Sequence, residues 1–314
     1  MQLPHKTKQF LSLAVKLLVV SLSFVVIYDA FQDLNWNLLQ FISNNSHLSQ
    51  LLFSGLFFSL LNWLLETLKW KTLIHDHKSF QFLGAFSETL RAHAVSIITP
   101  NKIGEFGAKA SFYPKQMRKL VLKQTLTGQL YQLVATCFFG ILGFGVLFPE
   151  LSSSLKFSIS TALVMVFILG VVFSLTKSSY KWFKKLKSYF ISLSILSNTT
   201  NTKALLLSVL RYLTFSHQFY FLLYFFQPEL GYLEVMPVLF VIYLVSSIVP
   251  TFLLLDVTLK TSLSLVLLDG IISSEIVLMV NLMMWIFNFG LPAFVGNLLI
   301  LSPKQSSLQP KKAL

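Results

Sequence analysis

Charge is scarce in this sequence: Asp, Glu, Lys and Arg make up 12% of the residues, about half of the roughly 25% that a soluble domain carries. With 54% hydrophobic residues and a mean hydropathy of +0.70 beside that deficit, the composition argues against a water-soluble fold. Acidic residues are scarcer still, 12 against 25 basic ones, for a formal charge of +13. The bases fall in short clusters between apolar runs and form no single polar domain, which points to membrane orientation and away from a nucleic-acid partner. Cysteine occurs once, as Cys137 inside an apolar run, so an intrachain disulfide and a cysteine metal cluster are excluded. Gly-rich nucleotide loops, nucleophile elbows and zinc-protease motifs are missing too. His75-Asp76-His77 is only a weak candidate for metal-ligand spacing, so no metal and no cofactor is expected.

What the sequence does have is long apolar runs. A hydrocarbon layer about 30 Å thick takes about 20 residues per helix, and six segments meet that length: 10–28, 50–68, 124–147, 157–175, 204–226 and 276–300. The first follows basic residues as a signal sequence does, but no small-residue cleavage site precedes Asp29 and Asp33, so it reads as a retained helix. Two apolar but interrupted regions, 82–120 and 235–272, lie between the spans. Lys and Arg accumulate in short cytoplasmic loops. A cytoplasmic N-terminus puts Lys69, Lys71 and Lys78, the lysines of 176–203 and the tail lysines on one side. Asp29, Asp33, Glu150, Glu229, Glu234, Asp269 and Glu275 then lie on the other, with Lys156 the single base among them. This asymmetry holds only if each interrupted region enters and leaves on one face. Both regions therefore read as re-entrant helix pairs, 82–120 opening to the cytoplasm and 235–272 to the outside, as broken backbone is tolerated where it is buried or lines a watery cavity. The expected fold is all-α and polytopic, one membrane domain over 1–314 with both termini cytoplasmic.

The two interrupted regions resemble each other. Val95-Ser96-Ile97-Ile98-Thr99-Pro100 matches Val245-Ser246-Ser247-Ile248-Val249-Pro250 at an offset of 150, and beyond each proline a carboxylate precedes a lysine by four residues: Glu105 and Lys109, Asp256 and Lys260. Leu51-Leu52-Phe53-Ser54-Gly55-Leu56 likewise matches Leu205-Leu206-Leu207-Ser208-Val209-Leu210 at nearly the same offset. Together these predict inverted-repeat halves of approximately 50–147 and 204–300, an architecture that secondary transporters use for alternating access. The pattern points to a carrier.

The stretch from Thr99 to Lys109 concentrates the chemistry. Pro100 stops the incoming helix, while Gly104 and Gly107 permit tight turns or close backbone approach. Glu105 and Lys109 share a helical face, as do Glu88 and Arg91 on the incoming arm. An ionised side chain deep in a membrane costs about 2.5–3.5 kcal/mol on insertion scales and therefore faces a cavity or a partner. Glu105 with Lys109, and Asp256 with Lys260, read as buried functional pairs. Lys115, Arg118, Lys119 and Lys123 read instead as an amphipathic cytoplasmic segment against anionic headgroups. Glu66 and Lys69 read as an interfacial pair, Arg211 as snorkelling to the interface, and His217 as bonded to a neighbouring helix.

At Thr99-Pro100-Asn101-Lys102-Ile103-Gly104-Glu105 followed by Lys109, the chain resembles the flippase-like membrane domain family that includes the transmembrane region of lysylphosphatidylglycerol synthase. Two departures stand out: Lys109 occupies a position where Arg is usual, and Asp256 lies within Phe252 to Lys260 where a Gly-rich segment ending in Glu is usual. The resemblance implies movement of an anionic or aminoacylated phospholipid, or a polyprenyl-linked lipid, across the bacterial inner membrane. It also implies that the chain lacks the aminoacyl-transferring domain and is no enzyme. In this reading Arg91, Lys102, Lys109 and Lys260 hold a phosphate, and Glu105 and Asp256 neutralise those bases or bind a headgroup amine. Two alternatives stand beside it: a membrane-embedded transferase or phosphatase acting on a lipid-linked phosphate, with Glu105 or Asp256 as base, and a noncatalytic partner of an envelope glycosyltransferase complex.

Overall fold

The computed structural model describes residues 48–75, 81–97, 99, 103–147, 198–248 and 253–301, with the backbone alone at 198 and 253–255. These residues are all-helical. The helices are α1 (Leu48–Ile74), α2 (Phe82–Ser96), α3 (Ile103–Ser111), α4 (Lys115–Leu147), α5 (Asn198–Phe226), α6 (Tyr232–Ile248), α7 (Leu253–Leu267) and α8 (Ser274–Leu301). The last is continuous through a π turn at Ile286–Gly290.

Among the described residues α1, α4 and α8 are long and apolar enough to cross a membrane, as a membrane protein requires. They contain the expected spans 50–68, 124–147 and 276–300. The expected span 204–226 falls in α5, a helix of 29 residues in which Arg211, Ser216, His217 and Gln218 interrupt the apolar run. The expected spans 10–28 and 157–175 lie outside the described residues, as do Pro100, Lys102 and Pro250. Phe53, Leu60, Phe138, Ile141 and Phe294 are each more than half exposed. In water such a surface would drive association; against lipid it needs no cover.

One boundary departs from expectation. Helix α4 begins at Lys115, directly after Pro114, and runs for 33 residues, about 50 Å at 1.5 Å per residue. Lys115, Arg118, Lys119 and Lys123 thus belong to the first turns of a continuous helix, and no separate amphipathic segment carries them. Proline is suited to a helix start, where its missing N–H goes unused.

Helices α2 and α3 are joined by a short break, and so are α6 and α7. Both pairs fold back on themselves. In the first, Thr99 Oγ1 accepts the Gly104 N–H at 2.8 Å, near the break. The Tyr113 hydroxyl, past the far end of α3, donates to Glu88 on α2 at 2.9 Å. In the second, Val235 to Ile242 on α6 share one apolar cluster with Leu265 and Leu268 at the far end of α7. That cluster is the core of α5–α8. A separate cluster of Trp70, Ile74, Ala85, Ala110, Tyr113 and Val121 is the core of α1–α4.

The two groups of helices interlock through equivalent crossings. Helix α1 packs along α5, α4 crosses α6, and α8 crosses α2. Gln218 bonds Gly55 while Arg211 reaches Glu66, so α1 and α5 run antiparallel. The other two crossings depend on glycine. A Cβ on Gly143 of α4 would stand 2.5 Å from the Pro237 carbonyl oxygen and 2.8 Å from Phe240 Cβ. On Gly296 of α8 it would collide with the Leu90 carbonyl and lie 3.0 Å from Ala94 Cβ. Leu90 and Phe240 are themselves separated by 150 positions.

Candidate functional site

Between the two cores lies a cavity of about 480 Å³. Its polar side is built on α1 and α5. Glu66 of α1 accepts from Lys69 at 2.6 Å and from Arg211 of α5 at 2.9 Å. Arg211 Nε donates to Asn62 at 2.9 Å and its Nη1 to Gln132 of α4 at 3.2 Å. From Asn62 the bonds continue through Asn288 to Gln218, at 2.9 and 2.8 Å, and from Gln218 to the Gly55 carbonyl at 2.9 Å. Every link joins groups whose exposure to hydrocarbon would be costly, so each helix needs the others for its polar atoms.

The π turn of α8 supplies the next wall, and the sequence explains it. Pro292 has no N–H to offer the preceding turn, and Leu291 N–H bonds Ile286 O in the i–5 pattern. Carbonyls of the turn are left for other helices: Ser59 donates to Phe287 O, Trp63 Nε1 to Asn288 O at 3.2 Å, and His93 Nε2 meets Phe289 O at 3.3 Å. Such bulges concentrate at functional sites.

The two helix pairs complete the cavity. Glu105 of α3 lines it, paired with Lys109 at 2.8 Å and accepting from Gln129 at 2.9 Å. Lys109 stands behind the wall, 2% exposed, with its ammonium 4.3 Å above the Trp70 ring. Asp256 and Lys260 of α7 both line the cavity and pair at 2.6 Å. Lys260 also approaches the Phe289 and Tyr243 rings, at 5.7 and 5.9 Å. The aromatic side chains Phe215, Phe219, Tyr243 and Phe289 line the same space, so the cavity is polar on one wall and apolar on another.

Glu105 and the Asp256–Lys260 pair, far apart in sequence, thus meet at one cavity, with Lys109 behind its wall. Arg91 lies half-buried on α2, outside the lining side chains. The expected Glu66–Lys69 pair is present and lies inside the protein, with the two residues 6% and 1% exposed. Arg211 turns inward to Glu66 and does not snorkel, because a carboxylate on the adjacent helix offers it a partner at the same depth. His217 does bond outside its own turn, to the Tyr232 hydroxyl at 2.8 Å. No group of His, Cys, Asp and Glu among the described residues is arranged to hold a metal ion. Comparison with profiles of protein families and with curated proteins finds no match for this chain.

Proposed function

We propose that this protein is a carrier for a charged lipid, moving a phospholipid or polyprenyl-linked lipid across the bacterial inner membrane. The headgroup occupies the cavity while the tails remain in the bilayer. The halves 50–147 and 204–300 act as inverted repeats, and the two helix pairs are re-entrant, α2–α3 from the cytoplasm and α6–α7 from outside. Six full spans, with 10–28 and 157–175 assigned from sequence alone, and both termini in the cytoplasm complete the proposed topology.

One observation carries the reading: Glu105 of one helix pair and Asp256 and Lys260 of the other line a single cavity with Arg211 and Glu66. Buried charge of this density is expensive in a membrane and marks a substrate path. An apolar wall beside a polar one suits an amphiphile. The paired crossings of α4 on α6 and α8 on α2 support the repeat, and the lysine distribution supports the orientation.

The test is reconstitution in liposomes, following headgroup exposure of fluorescent anionic, aminoacylated and prenyl-linked lipids. Wild type is expected to move at least one class faster than protein-free liposomes, and the Glu105→Gln, Lys109→Ala double variant is expected to fall to the protein-free rate. Equal rates for both proteins would remove the proposed site from the mechanism. Product formation in detergent, where no second compartment exists, would favour the transferase or phosphatase alternative.

A further inference from the structure

The charges around Glu66 do not balance. Four ion pairs among the described residues join seven side chains, the bases Lys69, Lys109, Arg211 and Lys260 and the carboxylates Glu66, Glu105 and Asp256. Glu105 is paired with Lys109 and Asp256 with Lys260. Glu66 holds two bases, so the surplus positive charge sits there.

Those two bases differ in position. Lys69 is on the same helix as Glu66, three residues on, with its side chain 2% exposed and behind the wall. It stays with Glu66 however α5 moves. Arg211 comes from α5, lines the cavity and is 17% exposed. Its Nε and Nη1 bond Asn62, Gln132 and Glu66. A guanidinium carries five N–H donors, and the two on Nη2 have no hydrogen-bond partner among the described residues.

We infer that Arg211 is the anion receptor of the cavity, that its ligand is a phosphate-type oxyanion, and that Lys69 is the counter-ion that keeps Glu66 neutralised when Arg211 engages that ligand. The inference rests on the lipid-carrier reading for the source of the phosphate. Guanidinium matches paired phosphate oxygens through two parallel bonds. Without Lys69, taking Arg211 away would leave a buried carboxylate uncompensated, which is strongly unfavourable. With Lys69 present, the anion replaces Glu66 as the partner of Arg211, and Glu66 keeps a base beside it.

This arrangement makes an unusual demand on Glu66. If the bridge only holds helices together, removing either partner harms the protein alike. If Glu66 competes with the ligand for Arg211, its neutralisation strengthens binding. The fluorescence of Trp63 and Trp285, both in the cavity lining, reports occupancy in the full chain in maltoside micelles. The titrants are dihexanoyl phosphatidylglycerol, inorganic phosphate and zwitterionic dihexanoyl phosphatidylcholine. For the phosphatidylglycerol we expect Glu66→Gln to tighten binding about threefold, Lys69→Met to weaken it about tenfold, Arg211→Lys to weaken it by at least about tenfold and Arg211→Gln to abolish it, the scale of charged hydrogen bonds.

Binding by monodisperse Arg211→Gln or Arg211→Lys within about twofold of wild type would overturn the inference, as would lost binding in monodisperse Glu66→Gln. If Glu66→Gln aggregates, Lys69→Met and Arg211→Lys decide, and wild-type affinity in both rejects the assignment. Equal affinity for phosphatidylcholine would also reject it, since the site would not be reading net charge. Phosphate binding as tight as phosphatidylglycerol supports the receptor with a free anion as ligand; preference for phosphatidylglycerol supports a lipid source. Intact binding order with no lipid movement by wild type would sink the carrier reading and leave the receptor standing. Lipid movement unaffected by Arg211→Gln would do the reverse.

Discussion

Asn288 shows how a single side chain ties together the helices that form the polar wall of the cavity. It accepts from Asn62 and donates to Gln218, and Gln218 is 0% exposed. Asn288→Leu keeps the branched shape but orphans one polar atom on each neighbour. Buried unsatisfied groups cost about 1–3 kcal/mol, so the variant is expected to melt several degrees below wild type. A thiol-reactive dye reading Cys137, the only cysteine in the chain, follows the transition in detergent. An unchanged melting curve would mean that water replaces the lost bonds. The same residue marks the limit of what sequence reveals. Glu105 with Lys109 and Asp256 with Lys260 were legible because partners four apart share a helical face. Arg211 lies 145 positions from Glu66 and Asn288 lies 226 from Asn62, and no local spacing announces such pairs. One signal was present and went unread: Pro292 inside an apolar run withdraws a backbone donor, which implies freed carbonyls in the turn before it.

At the scale of elements, apolar length and breaks were the readable quantities, since both depend on neighbouring residues. The basic first turns of α4 carry no apolar signal, so the span 124–147 marks only part of the helix. A helix must be apolar only where lipid surrounds it, and Pro114 was the better marker of its beginning. Which helices cross was not readable, because small residues gain meaning only against the partner they admit. Gly143, Gly145 and Gly296 look alike in the sequence, yet only the first and last face a backbone carbonyl at close range. Gly143→Val and Gly296→Val are each expected to destabilise by about 1–3 kcal/mol, the usual range for overpacking. Gly145→Ala, with open space around its Cβ position, is expected to be neutral or stabilising by up to about 1 kcal/mol. The same dye-based melts measure all three. Comparable losses in Gly145→Ala and Gly143→Val would show that the crossing does not set the effect, since helix propensity favours both substitutions over glycine.

For the whole molecule, the proposed topology turns on whether α6 and α7 enter and leave on one face. Arithmetic favours this. Helix α5 has 29 residues, about 43 Å at 1.5 Å per residue, enough to cross a 30 Å layer, whereas α6 and α7 have 17 and 15, about 25 and 22 Å, each too short to cross alone. Their shared cluster of Val235 to Ile242 with Leu265 and Leu268 also returns the end of α7 to the level at which α6 begins. Glu229 before α6 and Asp269 after α7 should therefore lie on the same side, opposite Lys203 at the start of α5, and all three are exposed. In a Cys137→Ala background, single cysteines at these positions are treated with a membrane-impermeant maleimide in intact spheroplasts. Glu229→Cys and Asp269→Cys are expected to react directly, and Lys203→Cys only after permeabilisation. Opposite behaviour of Glu229→Cys and Asp269→Cys would make α6–α7 a crossing unit, invert the face assigned to everything after it, and dissolve the inverted repeat. Common labelling leaves Arg211, Glu105 and Asp256 on a path that each half can open to its own side.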